Sequence, residues 1–152
     1  MSRAASGPLL VSFDASLRYA DDNATPSSAA VGYVVADGTE PIVERSMPIE
    51  AFVSSSALEL RALVEAARAV ADIAPTTASV HVRGDADAAV NVADPTHPAT
   101  PTDDVARRRV ETIRSCLAEI PVVTYRVVPR GENARAHALA QAGHTRSTPE
   151  RD

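Results

Sequence analysis

Apolar and polar positions divide the chain into short runs with two different periods. Leu9 to Ser16, LLVSFDAS, is mostly apolar and closes on turn-forming residues, which predicts a buried strand. Leu17 to Ser28 is polar and carries Asp21, Asp22, Asn23 and Pro26, so it predicts a loop or a wide hairpin turn. Ala29 to Ala36 predicts a second strand, Asp37-Gly38 a tight turn, and Pro41 to Ile49 a third strand. Consecutive strands joined in this way form an antiparallel meander.

The period then lengthens. Between Ser56 and Ala74, residues Leu60, Leu63, Val64, Ala67, Val70 and Ala71 recur three and four apart, which predicts an amphipathic helix with Ser54, Ser55 and Ser56 as cap candidates and Pro75 as its stop. Ala78 to Arg83 alternates as a fourth strand before Gly84-Asp85, and Asp87 to Val92 predicts a short helix. Asp94 to Pro101 holds three prolines and predicts a loop. Asp103 or Asp104 caps the next helix, whose stripe of Val110, Ile113, Leu117 and Ile120 runs to Pro121. Val122 to Val128 is a fifth strand, Pro129 to Gly131 a turn, and Glu132 to Ala142 a last helix; His144 onward reads as a frayed polar tail. An antiparallel start followed by helices that separate strands implies an α/β (mixed α+β) domain, a five-stranded mixed sheet with helices on its faces. It is expected to span residues 9–142, between a flexible segment 1–8 and a polar tail 143–152.

Composition narrows the function classes. A chain of 152 residues fits one core, and 45% apolar with 23% charged residues is a globular balance. No apolar run is long enough for a membrane span, and the first apolar stretch is too short for a signal peptide, so a cytoplasmic protein is expected. The single cysteine, Cys116, excludes an internal disulfide and a cysteine-rich zinc site. All fifteen basic residues are arginine, against twenty acids, for a net charge of −5. Such a chain is not a general nucleic-acid coat, so a nucleic-acid partner must be met by a local patch.

Three carboxylates stand in unusual places. Asp14 lies in an apolar strand, where a lone carboxylate is costly unless paired or bound to a cation; alternatively the strand ends at Phe13 and Asp14 begins a turn. Glu59 falls in the first turn of the long helix, where the helix dipole alone would favour it. Asp85 follows a strand end, where a turn or cap role shared with Asp87 would also serve. Taken together, acids from a strand, a helix start and a strand end can meet at one point, and without cysteine such a cluster suits Mg²⁺ or Mn²⁺.

The order and spacing of these motifs resemble type 1 ribonuclease H, compact archaeal or reverse-transcriptase-like members in particular, from about Leu10 to Ala142. The resemblance rests on Phe13-Asp14-Ala15-Ser16, the strand around Gly32, Ser55-Ser56-Ala57-Leu58-Glu59, Gly84-Asp85-Ala86, and the closing run Arg130-Gly131-Glu132-Asn133 through Ala140. It implies a ribonuclease H-like fold and an enzyme that cuts the RNA strand of RNA–DNA hybrids with two ions, Mg²⁺ or Mn²⁺. It implies that Asp14, Glu59 and Asp85 are catalytic metal ligands, and that His137 stands where the family carries a fourth acid. An imidazole there would remove one negative charge and weaken Mg²⁺ binding, while still offering a nitrogen to Mn²⁺. It further implies substrate contacts at Ala15, Ser16, Ser55, Ser56 and Asn133, with hydroxyls or backbone groups replacing asparagine amides. Asn133 can instead cap the last helix. Arg107, Arg108 and Arg109 either contact phosphates or line a solvated helix face. A monomer is expected. His137 and the altered asparagine positions leave two alternatives open: a catalytically impaired module of the same fold, or a nuclease acting on another substrate.

Overall fold

The computed structural model describes residues 7–19, 26–49, 55–73 and 79–147. Five strands and four helices follow one another as β1 (Leu9–Tyr19), β2 (Pro26–Asp37), β3 (Glu40–Ile49), α1 (Ser55–Ile73), β4 (Ser79–Gly84), α2 (Asp87–Ala93), α3 (Asp104–Cys116), β5 (Val122–Val127) and α4 (Ala134–Ser147). A single 3-10 turn, Arg130–Asn133, leads into α4. The strands lie in the order β3-β2-β1-β4-β5; β1, β2 and β3 are antiparallel, whereas β4 and β5 run parallel to β1. This is the mixed sheet that the change of period predicts. Among the described residues no helix is long and apolar enough to cross a membrane.

The sheet is covered on both faces, which is why β1 is buried along most of its length. Leu9, Val11 and Phe13 share one core with Leu58, Leu63 and Val70 of α1, Val90 of α2, and Val110 and Ile113 of α3. Residues between them in β1 point the other way, toward α4, because side chains alternate along a strand. There Asp14 reaches His137 and Ser16 reaches Gln141 and His144.

The hairpin is longer than its polar sequence suggests. Leu17, Arg18 and Tyr19 pair with Ala29, Ser28 and Pro26 across a bulge, so segments expected as loop are ladder. Asp14 is thereby fixed inside a strand, opposite Gly32. Other boundaries move by a few residues. Ala71 lies on the exposed side of α1, and α3 stops at Cys116 with Leu117 as its cap. Asp103 caps α3 as expected, its carboxylate accepting from the Ala106 amide at 2.8 Å. The largest correction is at the end: α4 continues to Ser147, and His144, expected in a frayed tail, is 2% exposed because β1 and β2 supply polar partners for its ring. Residues 1–6 and 148–152, Ser54 as a cap, Pro75 as a stop and Ala78 lie outside the described residues.

Helix α4 sits unusually close to the sheet at Gly32. A Cβ there would lie 2.7 Å from the Leu139 carbonyl carbon and nearer still to the Ala140 amide, both of them backbone atoms that cannot swing aside. Gly143 allows a second close approach, since a Cβ there would lie 2.5 Å from the Ala30 Cβ. Gly32→Ala should therefore force α4 off the sheet and destabilise the fold by about 1–3 kcal/mol, the usual cost of overpacking. Gly131→Ala, which meets nothing within 4 Å, should change stability little. Urea unfolding of the two variants makes the comparison; equal midpoints would refute the close-packing account.

Candidate active site

The parallel pairing of β1 with β4 ends at Phe13 and Gly84. Beyond that pair the strands no longer share a ladder, and the next residue of each, Asp14 and Asp85, lies at the mouth of the gap. Gly84 is needed at this point because a Cβ would press on the Phe13 ring at 2.7 Å. Val128, just after β5, closes the far side by donating its amide to the Gly84 carbonyl at 2.9 Å. Glu59 enters from α1, in the second turn of the helix, since α1 begins at Ser55. The helix-dipole explanation of Glu59 loses most of its force there, because that field is concentrated in the first turn.

One carboxylate oxygen from each of Asp14, Glu59 and Asp85 lies within 4.8 Å of the others. Asp14 is 1% exposed. Its Oδ1, and Oε1 of Glu59, are buried with no hydrogen-bond partner among the described residues. Buried carboxylate oxygens without a partner are unfavourable as anions unless a cation or a proton meets them, and oxygen-only donors suit a hard divalent ion. The three residues therefore fit Mg²⁺ or Mn²⁺ as donor chemistry. Burial first, then the charge of Asp14, a hydrogen bond shared with it and the charge of Asp85 push the Glu59 carboxyl up to about 9, against a backbone hydrogen bond from Ala15 that pulls it down. Without a cation, Glu59 holds its proton at neutral pH.

The surrounding residues orient this group. His137 Nδ1 lies 2.8 Å from Asp14 Oδ2, so the ring holds the carboxylate oxygen opposite the unpartnered one. His137 contributes no atom to the set that converges. Arg130 Nε donates to Asp85 Oδ2 at 3.3 Å, which ties the turn before α4 to the end of β4. Asp85 does not cap α2; Ala86 stands at that position, without a side-chain cap.

The expected substrate residues separate into two groups. Ala15 offers its backbone to Glu59. Ser55 and Ser56 open α1, and their side chains lie outside the described residues. Ser16 and Asn133 are buried and engaged within the protein. Ser16 is buried, with its Oγ engaged by Gln141 Nε2 at 3.2 Å and His144 Nε2 at 2.7 Å. Asn133 is 2% exposed and donates Nδ2 to the Phe13 carbonyl at 2.9 Å, pinning β1 one residue before Asp14. Both side chains serve the packing of α4 and the turn before it on β1.

Two residues without an assigned role in the sequence reading join the site's support. Arg130 belongs to the closing motif, but nothing local shows that it meets Asp85. His144 bridges Ser16 and Ser28 through its two ring nitrogens, and burial, followed by the charge of Arg18, keeps it below the usual histidine range. A pocket of about 530 Å³ opens beside the site, between α1, α2 and the proline loop, but none of the three carboxylates lines it.

No family model matches this sequence, and none of the curated proteins does. Solved structures do match. RNase H1 from the halophilic archaeon Halobacterium salinarum is 27% identical, with a TM-score of 0.77 over 93% of this chain and 100% of that one. LC11-RNase H1, solved with an RNA/DNA hybrid, is 20% identical with a TM-score of 0.76 over 91% of this chain and 98% of its own. The N-terminal RNase H domain of rv2228c from Mycobacterium tuberculosis is 15% identical with a TM-score of 0.74, covering 94% and 100%. The chain has the ribonuclease H fold, and its structural neighbours are RNase H1 structures that span nearly its whole length.

The raised Glu59 carboxyl has a thermodynamic consequence. Between its unfolded value of 4.5 and its folded value of about 9, the native chain binds a proton that the unfolded chain does not, so stability falls as pH rises through that window. In EDTA the melting temperature should decline from pH 5 to pH 9, and Glu59→Gln should flatten the decline. An unchanged slope in that variant would show that Glu59 is not the buried acid.

Proposed function

We propose that this chain is a divalent-metal-dependent endoribonuclease that hydrolyses the RNA strand of RNA–DNA hybrids. The observation that carries the reading is the convergence of Asp14, Glu59 and Asp85, with buried unpartnered oxygens on two of them, in a ribonuclease H fold. A neighbour of similar shape was solved with an RNA/DNA hybrid, which supports the choice of substrate. These three residues would hold two ions, Mg²⁺ or Mn²⁺. When bound, the ions supply an activated water near neutral pH and charge compensation at the departing 3′-oxygen, leaving 5′-phosphate and 3′-hydroxyl ends.

The chain's own contribution is positioning. Asp14 is fixed by its strand, by Asn133 on the preceding carbonyl and by His137 on Oδ2. Asp85 is steered by Arg130, and Glu59 gives up its proton when a cation takes the site, so binding should release a proton at neutral pH. His137 would act in place of a fourth acid, orienting Asp14 or lending its other nitrogen to the site. Recognition of 2′-hydroxyls would fall to Ser55, Ser56 and the backbone at Ala15. We place the protein in the cytoplasm as a monomer.

A second reading, a catalytically impaired binding module, is favoured by one observation: an imidazole engages Asp14 where a carboxylate would add charge. Cleavage of a labelled RNA–DNA hybrid in Mg²⁺ and in Mn²⁺ decides between them. Cutting in either metal supports the enzyme, and no cutting in both supports the module; parallel assays on double-stranded and single-stranded RNA test the hybrid preference.

Asp14→Asn and Asp85→Asn should each abolish cleavage, beyond the roughly 100-fold that loss of a merely supporting partner costs a metal site, with circular dichroism unchanged. Wild-type rates in both would overturn the assignment. His137→Asp should lower the Mg²⁺ concentration for half-maximal cleavage; an identical titration would make His137 a bystander.

A further inference from the structure

The chain is acidic overall, yet one groove of about 430 Å³ on the outer side of α1 and α3 has no carboxylate in its wall. Arg61 and Arg68 of α1 face Arg108 and Arg109 of α3 across it, with Thr112 and Val105 beside them. Neutralisation is partial. Glu65 accepts from Arg61 Nε at 2.8 Å and, more distantly, from Arg68 at 3.4 Å. Arg109 donates to the Ala57 carbonyl at 2.6 Å, and Arg108 makes no ion pair among the described residues. Arg107, read with Arg108 and Arg109 as either a phosphate contact or part of a solvated helix face, pairs with Asp104. Burial, then the nearby charge of Arg61, lowers the Arg109 guanidinium from its ordinary value, with Asp103 opposing. Four guanidiniums gathered on one groove, two of them paired with Glu65 and Arg109 only near Asp103, repel one another unless an anion joins them.

We propose that this groove is a second nucleic-acid contact, binding the phosphodiester backbone of a duplex that extends past the carboxylate cluster. Its placement argues for a polyanion continuous with the substrate. Arg61 stands two residues after Glu59 on α1, and Arg109 holds the carbonyl of Ala57, two residues before Glu59. From Arg61 to Arg68 the helix advances about 10 Å, on the order of three nucleotide steps along one strand. Guanidinium forks match phosphate oxygens bidentately, and the open groove leaves them accessible. The inference deepens the reading above as a hybrid nuclease, but the contact itself reads only charge, so it extends to any duplex.

The test pairs Arg68→Glu/Arg108→Glu with Arg45→Glu/Arg126→Glu, a double variant of equal net charge on exposed strand positions away from the groove. Binding of a 20-base-pair hybrid and of double-stranded DNA is measured in EDTA, without cleavage, from 50 to 200 mM salt. The groove variant should bind both duplexes about tenfold more weakly, with a salt slope shallower by about two, one unit for each lost phosphate contact. The control should stay within about twofold of wild type. Equal behaviour of the two variants overturns the proposal. So does tight binding of a polyglutamate peptide that duplex fails to compete away, which would assign the groove to an acidic protein segment. Failure of hybrid cleavage leaves these duplex-binding readouts intact, so the two readings fail separately.

Discussion

Crowding of like charge away from water is the constraint on which this molecule's architecture turns. Asp14, Glu59 and Asp85 approach one another closely in a place where two of their oxygens have no partner among the described residues. Left to themselves, such groups separate or take up protons. The fold prevents separation by anchoring each acid to a different rigid element: a central strand, the second turn of a long helix, and the residue after a strand end. Protonation of Glu59 relieves the remainder when no cation is present, which makes the site's charge state a variable that a divalent ion can reset.

The anchoring of Asp14 draws in the whole of α4. Asn133 at the end of the 3-10 turn and His137, Gln141 and His144 of α4 lie three to four residues apart, and each reaches β1. Gly32 and Gly143 let the helix come near enough for those side chains to span the gap. A glycine in a neighbouring strand thus determines the position of a carboxylate it does not touch. On the opposite face, apolar packing against α1 and α3 performs the equivalent service for Glu59.

Most of the fold was legible in sequence because it follows local periods. Strand alternation and the three-and-four spacing of Leu60, Leu63, Val64 and Ala67 need no knowledge of distant residues. What was missed depends on partners far away. Arg18 and Ser28 read as loop, yet they pair across the hairpin, and His144 reads as tail, yet its partners are 128 and 116 residues distant. The three acids were legible only in combination, since each alone had an adequate bland explanation. The internal hydrogen bonds of Asn133 and Ser16 were not legible, because a polar side chain in a motif gives no sign whether it faces solvent or fastens a helix. Arg130 could not be paired with Asp85 from spacing, because they stand 45 positions apart with two helices and a strand between them.

That row of side chains also divides labour along its length. Its first half, at Asn133 and His137, grips the stretch of β1 that carries Phe13 and Asp14; its second half, at Gln141 and His144, grips Ser16 and, through Ser28, the start of β2. Fraying of the C-terminal turns would release the hairpin while the upstream clasp stays shut. The two grips lie in series, and the one that holds the acid is the one farther from the C-terminal end of the helix.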